Sequence, residues 1–318
     1  MLFFRDCSAD YKALGAQIKK TVSEHAFTII ITIIKAHLVA IVVCLCINFF
    51  LISTFFRKNI FYTTMRYILF AVTLLSDCLF LIMSNALLVS SYFNFTIQIW
   101  LCFIVYTILS VYALVTPLTL TAMTLERYVA ICMPLRHAEL CTTRGALQLI
   151  LIIHSISAVP CTINLSIFSA TVSSELYTNN RLCYREMFIL FPWQDHLSSA
   201  MNQFYFLIMC SVIVFSYVQI MKAAKSASGE NKKSTWRGLR TVILHAFQLL
   251  LCLIQLWCPF IEDAVYKIDL TLHRDIRYFN YVTFSIASRC LSPLIYGLRD
   301  ELFFQALRSY ALCRLYRK

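Results

Sequence analysis

Charge and glycine are both scarce in this sequence. Of 318 residues only 14% are Asp, Glu, Lys or Arg, and only five are glycine. A soluble domain carries about 25% charged and about 45–50% apolar residues. Here the apolar share is 60% and the mean hydropathy is +0.72. So few charges cannot cover a core in water, and the excess apolar surface needs another solvent. Five glycines leave no Gly-rich loop to cradle a phosphate, and neither HExxH nor GxSxG occurs. The chain is therefore read as a non-enzyme with no cofactor. No CxxC pair stands among the 14 cysteines, so no metal site is expected. Most of those cysteines (Cys44, Cys46, Cys78, Cys210, Cys252) fall inside apolar runs, where a thiol packs as a small hydrophobe. A cleavable signal peptide is not expected either, because Arg5, Asp6 and Asp10 interrupt the apolar start Met1–Phe4. The first membrane helix would then act as an uncleaved anchor. Neither a filter sequence nor a charge ring is present, which argues against a channel. Repeated hydropathy halves are missing too, which argues against a transporter.

What is there is long apolar runs. A membrane helix needs about 20 mainly apolar residues. Seven segments qualify, near Phe27–Phe56, Met65–Tyr92, Cys102–Cys132, Ala146–Ala170, Ser199–Ala223, Leu239–Ala264 and Phe279–Leu298. The expected fold is an all-α membrane protein, a single seven-helix bundle over 27–298. Residues 1–26 form an extracellular N-terminus in this reading, and 299–318 a cytosolic amphipathic helix and tail. In that last stretch Leu302, Phe303, Ala306 and Leu307 share one helical face, with Arg308, Arg314, Arg317 and Lys318 ready to meet anionic lipid heads. Cys313 is either palmitoylated or a free thiol.

The formal net charge of +12 is read as membrane topology rather than nucleic-acid binding, because the basic residues sit in short loops between the apolar runs. With the N-terminus outside, seventeen Lys and Arg fall at the cytosolic ends and nine on the outer side, four of those nine (Arg5, Lys12, Lys19, Lys20) in the N-terminal tail. That asymmetry favours a plasma-membrane protein with its N-terminus out and C-terminus in. Asn94-Phe95-Thr96 is a sequon in the first outer loop, so Asn94 is a candidate glycan acceptor. A second sequon at Asn164 lies close to the membrane.

Two features resist a purely structural reading. Asp77 sits mid-span in Leu74-Leu75-Ser76-Asp77, where an ionisable group is costly unless paired or hydrated. Arg289 is a second buried-span charge, four residues before Pro293. The third span ends in Met123-Thr124-Leu125-Glu126-Arg127-Tyr128-Val129-Ala130-Ile131-Cys132, followed by Met133-Pro134-Leu135-Arg136. Alone, Glu126-Arg127 would read as a snorkelling anchor.

The full string, however, resembles the signature of odorant receptors, a branch of the rhodopsin-like G-protein-coupled receptors. Ser292-Pro293-Leu294-Ile295-Tyr296 is similar to the Asn-Pro-x-x-Tyr of that family, with Ser292 in place of Asn. Arg289-Cys290-Leu291-Ser292-Pro293 through Arg299 resembles the fish type rather than the mammalian one. Trp257-Cys258-Pro259 keeps a Trp that mammalian odorant receptors usually lack. Ser216-Tyr217, and the basic start of the sixth helix with His245, also resemble the family.

The resemblance implies a disulfide between Cys102 and Cys183, the alternative being two free thiols. It implies a switch of Glu126, Arg127, Tyr128, Tyr217, His245, Pro293 and Tyr296 that opens a groove for a heterotrimeric G protein of the olfactory or stimulatory type, raising cyclic AMP. It implies a polar core of Asp77, Arg289 and Ser292, in a place where the family often holds sodium and the Arg289 guanidinium would stand for the cation. A rival reading has Arg289 reaching an acidic ligand from below. It implies an odorant pocket among Tyr106, Leu109, Ser110, Ala113, Met201, Asn202, Tyr205, Trp257, Phe260, Ile261, Tyr278, Val282 and Ile286. The alternatives kept open are a non-olfactory small-molecule receptor of the same fold and, further off, a transporter or channel.

Overall fold

The computed structural model describes residues 35–57, 59–227, 232–266, 268–297 and 305, with backbone alone for 92, 174, 224, 227, 232–245, 263, 266, 270, 271, 274, 292 and 294–297. Two compact units divide the chain, Met1–Cys44 and Leu45–Lys318. In the first, described from Lys35 onward, Ile41 and His37 are buried and Val39, Val42 and Val43 are exposed. Cys44 departs from the small-hydrophobe reading, being disulfide-bonded.

The architecture is that of a seven-helix bundle. Helix α1 runs Lys35–Phe55. A single turn α2 (Ile60–Thr63) leads into α3 (Met65–Tyr92). Then come α4 (Ile99–Cys132), the short α5 (Pro134–Leu140), α6 (Thr143–Thr171), α7 (Pro192–Ala227) and α8 (Lys232–Tyr266). The seventh span is composite: α9 (Leu270–Asn280), a π-helical turn Tyr281–Ile286, and α10 (Ala287–Gly297). The expected amphipathic helix over 299–318 and the N-terminal tail lie outside the described residues.

Several helices are longer than their apolar runs. The third span starts at Ile99 rather than Cys102, the fifth at Pro192 rather than Ser199, and the seventh at Leu270 rather than Phe279. The cause is geometric. Hydropathy marks only the part inside hydrocarbon about 30 Å thick. The 34 residues of α4 span about 50 Å at 1.5 Å each, so both ends stand clear of it. Five described helices are long and apolar enough to cross a membrane, and α8 contributes a shorter apolar stretch, Ala246–Glu262.

Helix α4 is the central post, packing on α3, α6, α7 and α8. Its middle, Leu114–Thr124, is almost wholly buried. One apolar cluster, including Leu69, Leu74, Leu120, Met123, Leu249 and Leu253, fills the bundle around it. A second, of Ile99, Cys102, Cys161, Leu165, Phe168 and Phe188, lies under the α6–α7 loop. That loop is held by a two-stranded ribbon, β1 (Ile97–Gln98) antiparallel to β2 (Asn180–Arg181), with Ile97 opposite Arg181 and Gln98 opposite Asn180.

Candidate functional site

Three regions along the bundle carry polar or aromatic groups that packing alone does not require. The first is at mid-depth. Arg289 and Asp77 are 1% and 0% exposed, and Arg289 Nη1 donates to Asp77 Oδ1 at 2.8 Å. The same nitrogen reaches Thr116 Oγ1 at 2.8 Å, and Thr116 Oγ1 in turn donates to Asp77 Oδ1 at 2.9 Å. Nη2 donates to the Tyr112 carbonyl at 3.3 Å. Pro117 lies next to Thr116 within α4 and leaves the Ala113 carbonyl without its helical N–H donor, though that carbonyl is not one of the two α4 acceptors that Arg289 uses. The guanidinium carbon lies 3.7 Å from the centroid of the Phe80 ring, a cation–π contact. The planar fork thus meets a carboxylate, a hydroxyl, a carbonyl and an aromatic face, a set that Lys could not satisfy. The π turn Tyr281–Ile286 ends three residues before Arg289 and shifts the helical phase that aims it. The structure therefore brings Asp77 and Arg289 together, while the Ser292 side chain lies outside the described set.

The second region is at the Cys102 end. A disulfide joins Cys102 to Cys183 with the Cα atoms 5.5 Å apart. Five residues on, Phe188 is fully buried; it stacks on Tyr106 (centroids 4.7 Å) and meets Phe168 (5.0 Å) and Phe103 (6.0 Å) edge-on. The loop is thus fixed to α4 by one covalent bond, one ribbon and one aromatic plug. Cys183→Ser should release it: loss of a native disulfide costs about 2–5 kcal/mol in small domains. Mass mapping under non-reducing conditions should recover the Cys102–Cys183 peptides from folded protein. Finding both thiols alkylatable would exclude the bridge.

Of the residues expected to form a pocket, Tyr106 is the one that touches this plug among the described contacts. Tyr106, Leu109, Ser110, Ala113, Met201, Asn202, Phe260, Tyr278 and Val282 are partly buried, and Ile286 is buried. Trp257 lies edge-on to Phe206 at 5.7 Å and near Phe260 at 6.0 Å. Tyr205 instead sends its hydroxyl to the Ile156 carbonyl of α6, 3.2 Å away. Ile261 is 45% exposed. A polar ring that sequence reasoning missed closes this end. Glu262 accepts from Asn280 at 3.0 Å and lies 3.9 Å from Arg277, which also donates to Glu186 at 3.1 Å. Arg185 donates to Asp195 at 2.7 Å. The signal was weak: Glu262 stands beside Asp263, and Asn280 follows Arg277 by three residues, as polar residues do at ordinary helix ends. Tyr281 adds a bond from the seventh span to the second, donating to Ser84 Oγ at 2.7 Å. Asn94 is exposed and has φ 53°, a left-handed turn position that Asn tolerates. The Asn164 amide is buried and donates to Ser198 Oγ at 3.0 Å, so that sequon is taken up in packing.

The third region is the opposite end. Glu126 and Arg127 are buried at the foot of α4, 6% and 8% exposed. The Glu126 carboxylate lies 3.1 Å from His137 Nε2 of α5. Burial first, and the Glu126 charge second, push the nearby Cys141 thiol up. Tyr128 packs edge-on against Phe215 of α7 at 5.5 Å. Tyr217, Val218, Met221, Lys222 and Lys225 line an open groove of about 400 Å³ on α7. Pro293 is buried within α10. The side chains of His245 and Tyr296 lie outside the described residues.

A helix bundle with a disulfide at one end and a buried Glu-Arg-Tyr at the other admits few families. Residues 47–296 match the family described as 7 transmembrane receptor (rhodopsin family). The chain belongs to that family. Within it the receptor is similar to Odorant receptor 131-2 of Danio rerio, 39% identical over 300 residues that cover 94% of this chain and 89% of that one. That identity places the receptor with the fish-type odorant receptors. Its family fixes the coarse function: a multi-pass receptor of the plasma membrane, without enzymatic activity, that takes a small-molecule ligand and acts on a G protein.

Proposed function

We propose that this receptor binds a small odorant from the extracellular side, beneath the Cys183–Phe188 plug, and activates a stimulatory, olfactory-type G protein that raises cyclic AMP. The observation that carries this reading is the 39% identity to a protein named as an odorant receptor. Tyr106, Ser110, Asn202, Trp257, Phe260 and Tyr278 give the pocket an aromatic wall with a few polar handles, which suits a small organic molecule. The N-terminus lies outside. Support comes from the seventeen-to-nine basic asymmetry and from the disulfide, which needs an oxidising side. The inner end then holds Arg127, Tyr217 and the apolar groove flanked by Lys222 and Lys225. Agonist must bind the active packing better than the resting one for this end to open. Tyr128, His245, Pro293 and Tyr296 belong to the same switch, and Asn94 to the glycosylated outer loop.

Transfected cells exposed to a panel of water-soluble odorants should raise cyclic AMP, and removal of the stimulatory G protein should abolish the response. A ligand-evoked current or flux surviving without G protein would overturn the reading. Expression confined to tissue outside the olfactory epithelium would favour a non-olfactory ligand of the same pocket.

A further inference from the structure

The end of α4 and the segment after it bring Glu126, a residue of the expected switch, together with two side chains given no role so far, His137 and Cys141. His137 lies on α5 and Cys141 is its C-cap residue, four positions apart and so on one face. Glu126 faces them from the last turns of α4. One donor atom from each, His137 Nε2, Glu126 Oε and Cys141 Sγ, lies within 4.8 Å of the other two. Glu126 is buried, and His137 and Cys141 are half-buried, so solvent reaches the cluster from the α5 side.

We infer that Glu126, His137 and Cys141 form a binding site for a zinc ion. Zinc bonds of about 2.0–2.3 Å to N, O and S set donor–donor edges of roughly 3.3–3.8 Å in a tetrahedron. The His137–Glu126 edge is 3.1 Å, and the two edges to Cys141 are no longer than 4.8 Å. The donor set selects the metal. One thiolate and one imidazole exclude magnesium and calcium, which take oxygen, and match zinc among the available divalent ions. Charge balances as well: the Cys141 S–H bond breaks, its proton leaves to water, and carboxylate plus thiolate neutralise the dication. That removes the cost of holding Glu126 ionised in a buried place. Three protein ligands leave the fourth position to water. The sequence carried only half the pattern, a His-x-x-x-Cys step within His137-Ala138-Glu139-Leu140-Cys141. The third ligand comes from eleven residues earlier and joins them only in the fold.

The bound ion would staple α5 to the foot of α4 and occupy the carboxylate next to Arg127. On the proposed function, which this consequence rests on, zinc then holds the inner end closed and lowers coupling. The test begins without any G protein. Full-length receptor purified in detergent is titrated with Co²⁺, whose bond to a thiolate gives a near-ultraviolet charge-transfer band, and Zn²⁺ is then added as competitor. A saturable one-to-one band displaced by Zn²⁺ is expected. Cys141→Ser should remove the band, and His137→Ala should weaken Co²⁺ and Zn²⁺ binding by at least about tenfold. No saturable binding, or binding untouched by both substitutions, would overturn the site. In a second arm, agonist-driven nucleotide exchange on purified G protein should fall with Zn²⁺ for the unsubstituted receptor and not for either variant. Exchange absent under every condition would count against the G-protein reading while the cobalt titration decides the site.

Discussion

Replacing Arg127 with alanine should silence the receptor while leaving it at the cell surface. Arg127 stands beside Glu126 in the last two turns of the third span, at the inner mouth of a bundle whose apolar core lies further along α4. It lies five residues before the end of α4, at the edge of the apolar cluster rather than within it, so the bundle should still assemble without it. The loss of function is large: no other described cation on α4 stands at that mouth. Cyclic AMP in agonist-treated cells should fall to the level of cells without receptor, with surface labelling near that of the unsubstituted chain. A well-expressed Arg127→Ala receptor that signals normally would remove Arg127 from the switch. One that never reaches the surface would give it a folding role instead.

The second large effect concerns Asp77 and Arg289. Each is buried at mid-membrane and each holds the other at 2.8 Å. Removing one partner leaves a buried charge uncompensated, about 3–5 kcal/mol in buried pairs. Against a total stability of about 5–15 kcal/mol, either Asp77→Ala or Arg289→Ala should sharply reduce folded yield. The pair itself need not add net stability, because two charges have been taken out of water. The double substitution should therefore recover part of the loss. Recovery is the discriminating outcome, since strictly additive losses across the cycle would mean that the two groups act independently. Single variants that express normally and lose only agonist potency would favour an acidic ligand reached by Arg289 from below.

Reading the sequence alone reached some of this and not the rest, for physical reasons. The apolar runs of a seven-helix bundle were legible because hydrocarbon imposes a length and a composition on every span. The ends of α4, α7 and α9 were not, because a helix leaving the membrane becomes polar without ceasing to be a helix. Asp77 and Arg289 stood out as charges in apolar surroundings. Their third partner Thr116 did not, since a threonine in a span is unremarkable until the fold sets its hydroxyl between the two charges. The plug residue Phe188 carried no signal in a loop read only for its cysteine. Glu262, Asn280 and Arg277 each looked like an ordinary end-of-helix residue; only the fold makes them one network. Absence of CxxC argued against metal, yet His137, Cys141 and Glu126 converge from two helices, a geometry that linear spacing does not encode.

The guanidinium at Asp77 has a consequence for where such a receptor can operate. A dissolved cation occupies a carboxylate in proportion to its concentration; a tethered one has no concentration to vary. Arg289 stays against Asp77 in dilute water and in brine alike, and its burial keeps it from screening by bulk salt. The charge that neutralises this carboxylate is written into the chain.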